Sequence, residues 1–136
     1  MQHYEFRVSQ VAEQIQFRGD PTAFKGGDAA WWSMPSYQLG EERSLDALKP
    51  DGGRWRGSAQ ILPDGSLNMQ ATWAPDENAP DTLQLVGIVR KDQPVSRVAV
   101  VGGTGKFRGA SGEAKSTVAM SEQDTPLFTY EISVDL

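Results

Sequence analysis

Few side chains in this sequence could carry out chemistry. Cysteine is absent, and histidine occurs once, as His3. That excludes a Cys–His nucleophile, thiolate metal sites and disulfide staples. One histidine also excludes multi-histidine zinc or iron sites. No carboxylate cluster has the spacing of a metal loop, so no metal and no cofactor is expected. His3 lies near the terminus and reads as a frayed surface residue. Among the acids, Glu5 is the candidate for general acid–base work. A carboxylate enclosed by apolar surface has a raised pKa and exchanges protons near neutrality. Its neighbours set a condition. Tyr4, Phe6 and Val8 form the apolar face of the same strand, so if that face turns inward, Glu5 points out.

The aromatic residues offer a second kind of chemistry, that of a shaped apolar wall. Trp55, Trp73 and Tyr130 each combine a flat apolar surface with one polar atom. Small residues at Ala59, Ala71, Gly87 and Ala114 would leave space between them. Met69, Val89, Ser116 and Phe128 fall on the same alternating positions and join the candidate binding set. Trp31-Trp32, with Met34 and Tyr37, is an unusual aromatic concentration. Adjacent strand residues face opposite sides, so one Trp of the pair faces inward and the other outward. Trp32, Met34 and Tyr37 are therefore also assigned to ligand binding.

The glycine-rich stretch 98–114, VAVVGGTGKFRGASGEA, invites a phosphate-binding reading. The spacing argues against it. A P-loop ending at Gly105-Lys106 needs glycine where Val100 stands and Ser or Thr where Phe107 stands. A dinucleotide fingerprint needs GxGxxG, and Gly103 to Gly109 is one residue too long. A tight strand connection accounts for the stretch better. Its glycines take positive φ, and Phe107 plugs the end of a barrel.

The elements that must position these residues are strands. Apolar and polar residues alternate through short segments broken by Gly, Pro, Asp and Asn. Residues 67–73 alternate cleanly after the turn signal Pro63-Asp64-Gly65, giving a hairpin with residues 55–62. Along the N-terminal segment the phase changes between Val8 and Val11, Ile15 and Phe17. That predicts one long bulged strand or two strands. Pro35 implies an edge position or a bulge within residues 29–39. Only residues 41–48 and 12–16 have any helical character, and both are short. The total is about eight strands at roughly 8–12-residue spacing, the pattern of a sandwich or barrel.

The chain has 136 residues, enough for one domain over 1–136. Its net charge is −5, from 13 Lys+Arg against 18 Asp+Glu. That argues against nucleic-acid binding, which calls for a basic face. No run reaches the ~18 apolar residues of a membrane span. The N-terminus lacks the pattern of a secretory signal.

Residues 100–112, VVGGTGKFRGASG, closely resemble the signature of dirigent proteins and of the related allene oxide cyclases. The similarity extends through residues 57–61, 67–73 and 82–87 and the final strand 127–136. The hairpin 62–73 also resembles that of bacterial spirotetronate cyclases. The resemblance implies an all-β fold, an eight-stranded antiparallel β-barrel with an internal hydrophobic cavity, in agreement with the strand count. It places Glu5 at the glutamate of the allene oxide cyclase pair and Arg7 where those proteins have asparagine. Ala59 stands at the position of their cavity cysteine. Ser111 stands where plant dirigent proteins carry an arginine, which departs from their phenolic chemistry.

The function the resemblance implies is a cofactor-free cyclase or isomerase. Such a protein folds a flexible hydrophobic intermediate in its cavity and steers ring closure, with Glu5, Arg7 and Tyr130 as the polar groups. A bacterial cytoplasmic setting in specialised metabolism is expected, with a hydrophobic small molecule as ligand. A homo-oligomer, dimer or trimer, is expected, with Val86 and Ile88 on the outward face suited to an interface. The rival expectation is a lipocalin-like carrier or stereo-directing scaffold that binds without accelerating chemistry.

Overall fold

The structure, a computed structural model, describes residues 1–9, 14–19, 25–90 and 92–136. Among these residues, nine strands follow one another along the chain. They are β1 (Gln2–Ser9), β2 (Ile15–Arg18), β3 (Ala29–Tyr37), β4 (Pro50–Ile61) and β5 (Leu67–Ala74), then β6 (Thr82–Val89), β7 (Val95–Thr104), β8 (Ser111–Met120) and β9 (Pro126–Asp135). All pairings are antiparallel. The sheet runs β1-β9-β8-β7-β6-β5-β4-β3, and β1 returns to β3 at Arg7 opposite Tyr37. Eight strands therefore close a barrel, which leaves no open edge along its wall.

The phase change in the N-terminal segment is a break between two strands. β1 borders the C-terminal end of β3, while β2 borders its N-terminal half and pairs Ile15 with Trp32. Val11 and residues 12 and 13 of the short helical candidate lie outside the described residues. Residues 41–48 hold only a single 3-10 turn, Leu45–Ala47. Pro35 coincides with a register shift between Pro35 and Tyr37, as its missing N–H requires.

The hairpin β4–β5 shows why alternation predicts this wall so well. Its turn is set locally. The Gly65 N–H donates to the Leu62 carbonyl at 2.8 Å, and the Ser66 N–H donates to Asp64 Oδ1 at 2.9 Å. Gly65 takes φ 85°. The register then pairs Ala59 with Met69 and Trp55 with Trp73, so these four share the inner face. The outward partners Ser58, Gln60, Asn68 and Gln70 are exposed.

The barrel interior is divided along its axis. One half is solid. Phe6 stacks on Trp73 with centroids 4.3 Å apart and also lies 5.3 Å from the Tyr130 ring. Phe107, in the 3-10 turn Gly105–Phe107, is fully buried and meets Tyr4 edge-on at 5.3 Å. It closes this end of the barrel, the role foreseen for it. The glycine-rich stretch builds that plug. Gly105 has φ 61°, and its chain reversal lets Asp81 Oδ1 accept from the Lys106 N–H at 2.9 Å. Among the described residues no helix is long and apolar enough to cross a membrane.

Candidate functional site

The other half of the interior is hollow. The cavity lies at the end where β4 meets β5 and β8 meets β9. Its walls come from Val8 and Ser9 of β1, Ile15 of β2, and Ala30, Trp32 and Met34 of β3. Trp55 and Ala59 of β4, Leu67 and Met69 of β5, and Val89 of β6 continue the wall. Phe128 and Tyr130 of β9 close the circuit back to β1. The cavity itself is small, about 50 Å3, and widens at a mouth open to solvent. The space is thus a small slot between these walls.

Strand alternation explains which candidates reach it. Trp32 pairs with Gly57 across β3–β4, and a Cβ at Gly57 would sit 2.7 Å from the indole ring. The glycine lets the indole lie flat on β4. Its neighbour Trp31 faces out, is 43% exposed, and donates from Nε1 to Gln16 Oε1. Trp55, Met69 and Tyr130 form the inner end of the slot, where Trp55 and Tyr130 approach to 4.7 Å between centroids. Ala59 contributes the space that a larger side chain would fill.

The polar atoms along the walls are few. The Tyr130 hydroxyl donates to the Met69 sulfur at 3.6 Å, a weak acceptor. Burial pushes the Tyr130 hydroxyl up to a pKa of about 12, and Ser116, its cross-strand partner on β8, acts in the opposite direction. Tyr130 therefore stays a neutral hydrogen-bond donor at any ordinary pH. Among the described residues, two buried side-chain polar atoms have no hydrogen-bond partner. They are Trp32 Nε1 and Gln14 Oε1. Among the described residues, none that lines the slot is charged. Among the described residues no group of three or more His, Asp and Glu side chains is gathered as a metal site.

Five candidates stand elsewhere. Glu5 is exposed, because Tyr4, Phe6 and Val8 turn their side of β1 inward and put odd positions outside. The acid expected within the barrel is thus on its surface. Arg7 is also on the outer side, although it is 3% exposed. The segment after β3 folds over it. Arg7 donates to the carbonyls of Gln38 and Glu42 at 2.9 and 2.8 Å and to Glu42 Oε2 at 2.6 Å. It ties that segment to the barrel rather than entering the slot. Tyr37, the cross-strand partner of Arg7, lies at the far end of β3 from Ala30 and Trp32. Trp73 belongs to the solid half, where its Nε1 donates to Ser36 Oγ at 3.1 Å, and Ser36 in turn donates to Asp51 at 2.7 Å. Ser116 is buried beside Tyr130 but is not part of the wall.

Val8, Ser9, Ile15, Ala30 and Leu67 belong to the wall and were not among the candidates, although alternation puts Val8 and Leu67 on apolar strand faces. Ile15 carried a signal in the phase change. Ser9 and Ala30 carried none, being small residues at strand ends.

A family model described as dirigent-like protein matches residues 60–136, more than half the chain. The chain belongs to the dirigent-like family. Its fold agrees throughout. Two solved pterocarpan synthase dirigent proteins superpose on this dirigent-like barrel with TM-scores of 0.80 and 0.78, at 24% and 22% identity. Each alignment covers 98% of this chain, with 86% and 93% of the respective neighbour. A pyocyanin demethylase superposes with a TM-score of 0.68 at 16% identity, covering 98% of this chain and 99% of its own. At these identities the likeness shows a shared fold. Comparison with curated proteins gave no match.

Proposed function

We propose that this dirigent-like protein holds a flexible hydrophobic intermediate in its slot and steers ring closure without a cofactor. The observation that carries the reading is the half-hollow barrel, an open apolar slot ending on the Tyr130 hydroxyl. The rigid walls select one folded form of a flexible chain, so the ordering entropy is met on binding rather than at the barrier. Trp32 and Trp55 provide flat faces for an unsaturated or aromatic ligand. The neutral Tyr130 hydroxyl is a preorganised donor for charge that develops on a ligand oxygen. The wall around it is mostly apolar, which strengthens that donor.

One observation favours a second reading, a carrier that binds without accelerating chemistry. Among the described residues the slot is lined by no carboxylate, guanidinium or imidazole, and a carrier needs none. The two readings separate in one experiment. Tryptophan fluorescence is followed during titration with a polyunsaturated fatty acid, a polyene and a monolignol-like phenol. Saturable quenching that weakens in Trp32→Phe and Trp55→Phe, but persists in Trp73→Phe, supports ligand binding in the slot. The best binder's compound class is then tested for turnover. A rate that falls at least tenfold in Tyr130→Phe with unchanged binding supports the steering role. Binding without any turnover leaves the carrier.

A further inference from the structure

We propose that the slot selects neutral ligands that bring a hydrogen-bond acceptor, a carbonyl or ether oxygen on an aromatic or polyene body, and that Trp32 Nε1 is its anchor. This rests on the slot being the ligand site. Trp32 is a wall residue, and its indole N–H is buried, closed to water and without a partner, so a ligand oxygen meets it once the ring turns toward the slot. Buried donors in folded proteins are nearly always paired, and one left unpaired is destabilising. Trp31, one position earlier, shows the ordinary solution, since its N–H is met by Gln16 on the barrel exterior. Trp73 shows another, since its N–H is met by Ser36. Trp32 has neither.

The Tyr130 hydroxyl is a further donor of the slot, bonded by Ser116 but with only a weak acceptor for its own proton. Tyr130 donates to sulfur, a poor acceptor that a ligand oxygen would outcompete. Both groups therefore offer hydrogen and ask for an acceptor. A carboxylate would meet both donors but no cation. Arg7 is outside, bound to Glu42, and the described wall residues hold no charge. Moving an anion into such a slot carries a desolvation penalty that two neutral donors do not offset. A hydrocarbon would fit the walls but leave the indole N–H unpaired. A ketone, enone or aryl ether satisfies the donors without bringing charge.

Gln14 Oε1 is the other unpartnered buried atom, on the residue before Ile15, which pairs with Trp32. Among the described residues it is the unpartnered buried acceptor that would compete with a ligand.

The test uses three probes of nearly equal shape, 2-acetylnaphthalene, 2-ethylnaphthalene and 2-naphthoate, measured by titration calorimetry on the whole chain. The ketone is expected to bind about 5–30-fold more tightly than the hydrocarbon, the range set by one well-placed buried hydrogen bond. The naphthoate is expected to bind most weakly at neutral pH. In Trp32→Phe, which keeps a flat ring and removes the N–H, the ketone preference should shrink below about threefold. A second reading needs no variant to fold. In 1H–15N spectra of the wild-type chain, one buried indole N–H signal should move on adding the ketone and stay nearly still with the hydrocarbon.

If the ketone and hydrocarbon bind alike, or the naphthoate binds best, the anchor is overturned while the slot remains the ligand site. The same holds if the ketone preference survives in Trp32→Phe. A free-state indole signal that Gln14→Leu displaces as far as the ketone does would show the donor already satisfied, and would also overturn it. Failure of all three probes to bind would remove the slot itself as the ligand site, and the proposal with it.

Discussion

Phe6 and Trp73 stack with ring planes 12° apart and centroids 4.3 Å apart, and this pair divides the barrel. On its one side Tyr4 and Phe107 fill the interior. On its other side the interior opens between Met69, Ala59 and Phe128. A barrel of eight strands is just wide enough for side chains to fill it. Here the large aromatics are gathered at one end, so the space they leave is gathered at the other.

Because this stack is structural, its loss should show in stability. Phe6 is fully buried, and Phe6→Ala should lower unfolding free energy by about 3–5 kcal/mol. Trp73→Phe keeps the stacking surface and removes the bond to Ser36, so about 1 kcal/mol is expected. Urea unfolding with unchanged slope measures both. A loss under 1 kcal/mol for Phe6→Ala would contradict the stack as the divider.

Arg7 holds the outer segment in place, so its removal should affect stability and leave the slot alone. Arg7→Met should lower stability by about 2 kcal/mol through lost bonds to two carbonyls, while ligand affinity stays within twofold. A collapse of affinity or turnover in a variant that remains folded would return Arg7 to the site. The pH dependence of the same contact has a definite sign. The Glu42 carboxyl is held below the usual carboxylate range by its own backbone N–H and then by Arg7. Its stabilising contribution is present above the unfolded value of 4.5 and fades as pH falls through the lower folded value. Glu42→Gln should remove that part of the acid dependence.

The barrel was legible in the sequence because its signal is redundant. Each strand repeats the same two-residue period, and in β4, β5, β6 and β9 every inner position assigned from alternation is buried or half-buried. Most of the slot's walls followed from that periodicity, including Trp55, Ala59, Met69, Val89 and Phe128. What alternation could not give is depth along the barrel axis. Trp55 and Trp73 are cross-strand partners on one face, yet only Trp55 reaches the slot. Arg7 was misplaced for a related reason. Its burial comes from a loop far along the chain, and no pattern within β1 reports that loop. Glu5 obeyed the local rule, and the resemblance that drew it inward carried a register for β1 that the outward odd positions do not support.

The glycine-rich stretch should behave as architecture under substitution. A Cβ at Gly112, where φ is 156°, would lie 2.0 Å from the Ser133 carbonyl oxygen, a backbone atom that cannot swing aside. Gly112→Ala should therefore destabilise by more than about 1 kcal/mol. Gly102 has open space around its Cβ position. Gly102→Ala should change stability by less than about 1 kcal/mol, in the stabilising direction. Thermal unfolding of the two variants side by side tests the contrast. A phosphate-binding loop would instead show added phosphate stabilising the wild type, and no such gain is expected.

Tyr130 connects stability to the state of the slot. Its pKa is raised by burial from the ordinary 10.0 to about 12. The unfolded chain thus releases this proton before the folded one does, so stability falls with rising pH between those two values and is unaffected below them. The difference between wild type and Tyr130→Phe should isolate that fall in unfolding measured from pH 9 to 12. Absorbance at 295 nm gives the direct check. One of the three tyrosines should ionise last, and that component should vanish in Tyr130→Phe. A bound ketone accepting from the hydroxyl should delay the ionisation further, because it favours the protonated donor. An earlier ionisation on binding would mean that the ligand meets Tyr130 with a donor of its own, which contradicts a slot that asks for acceptors.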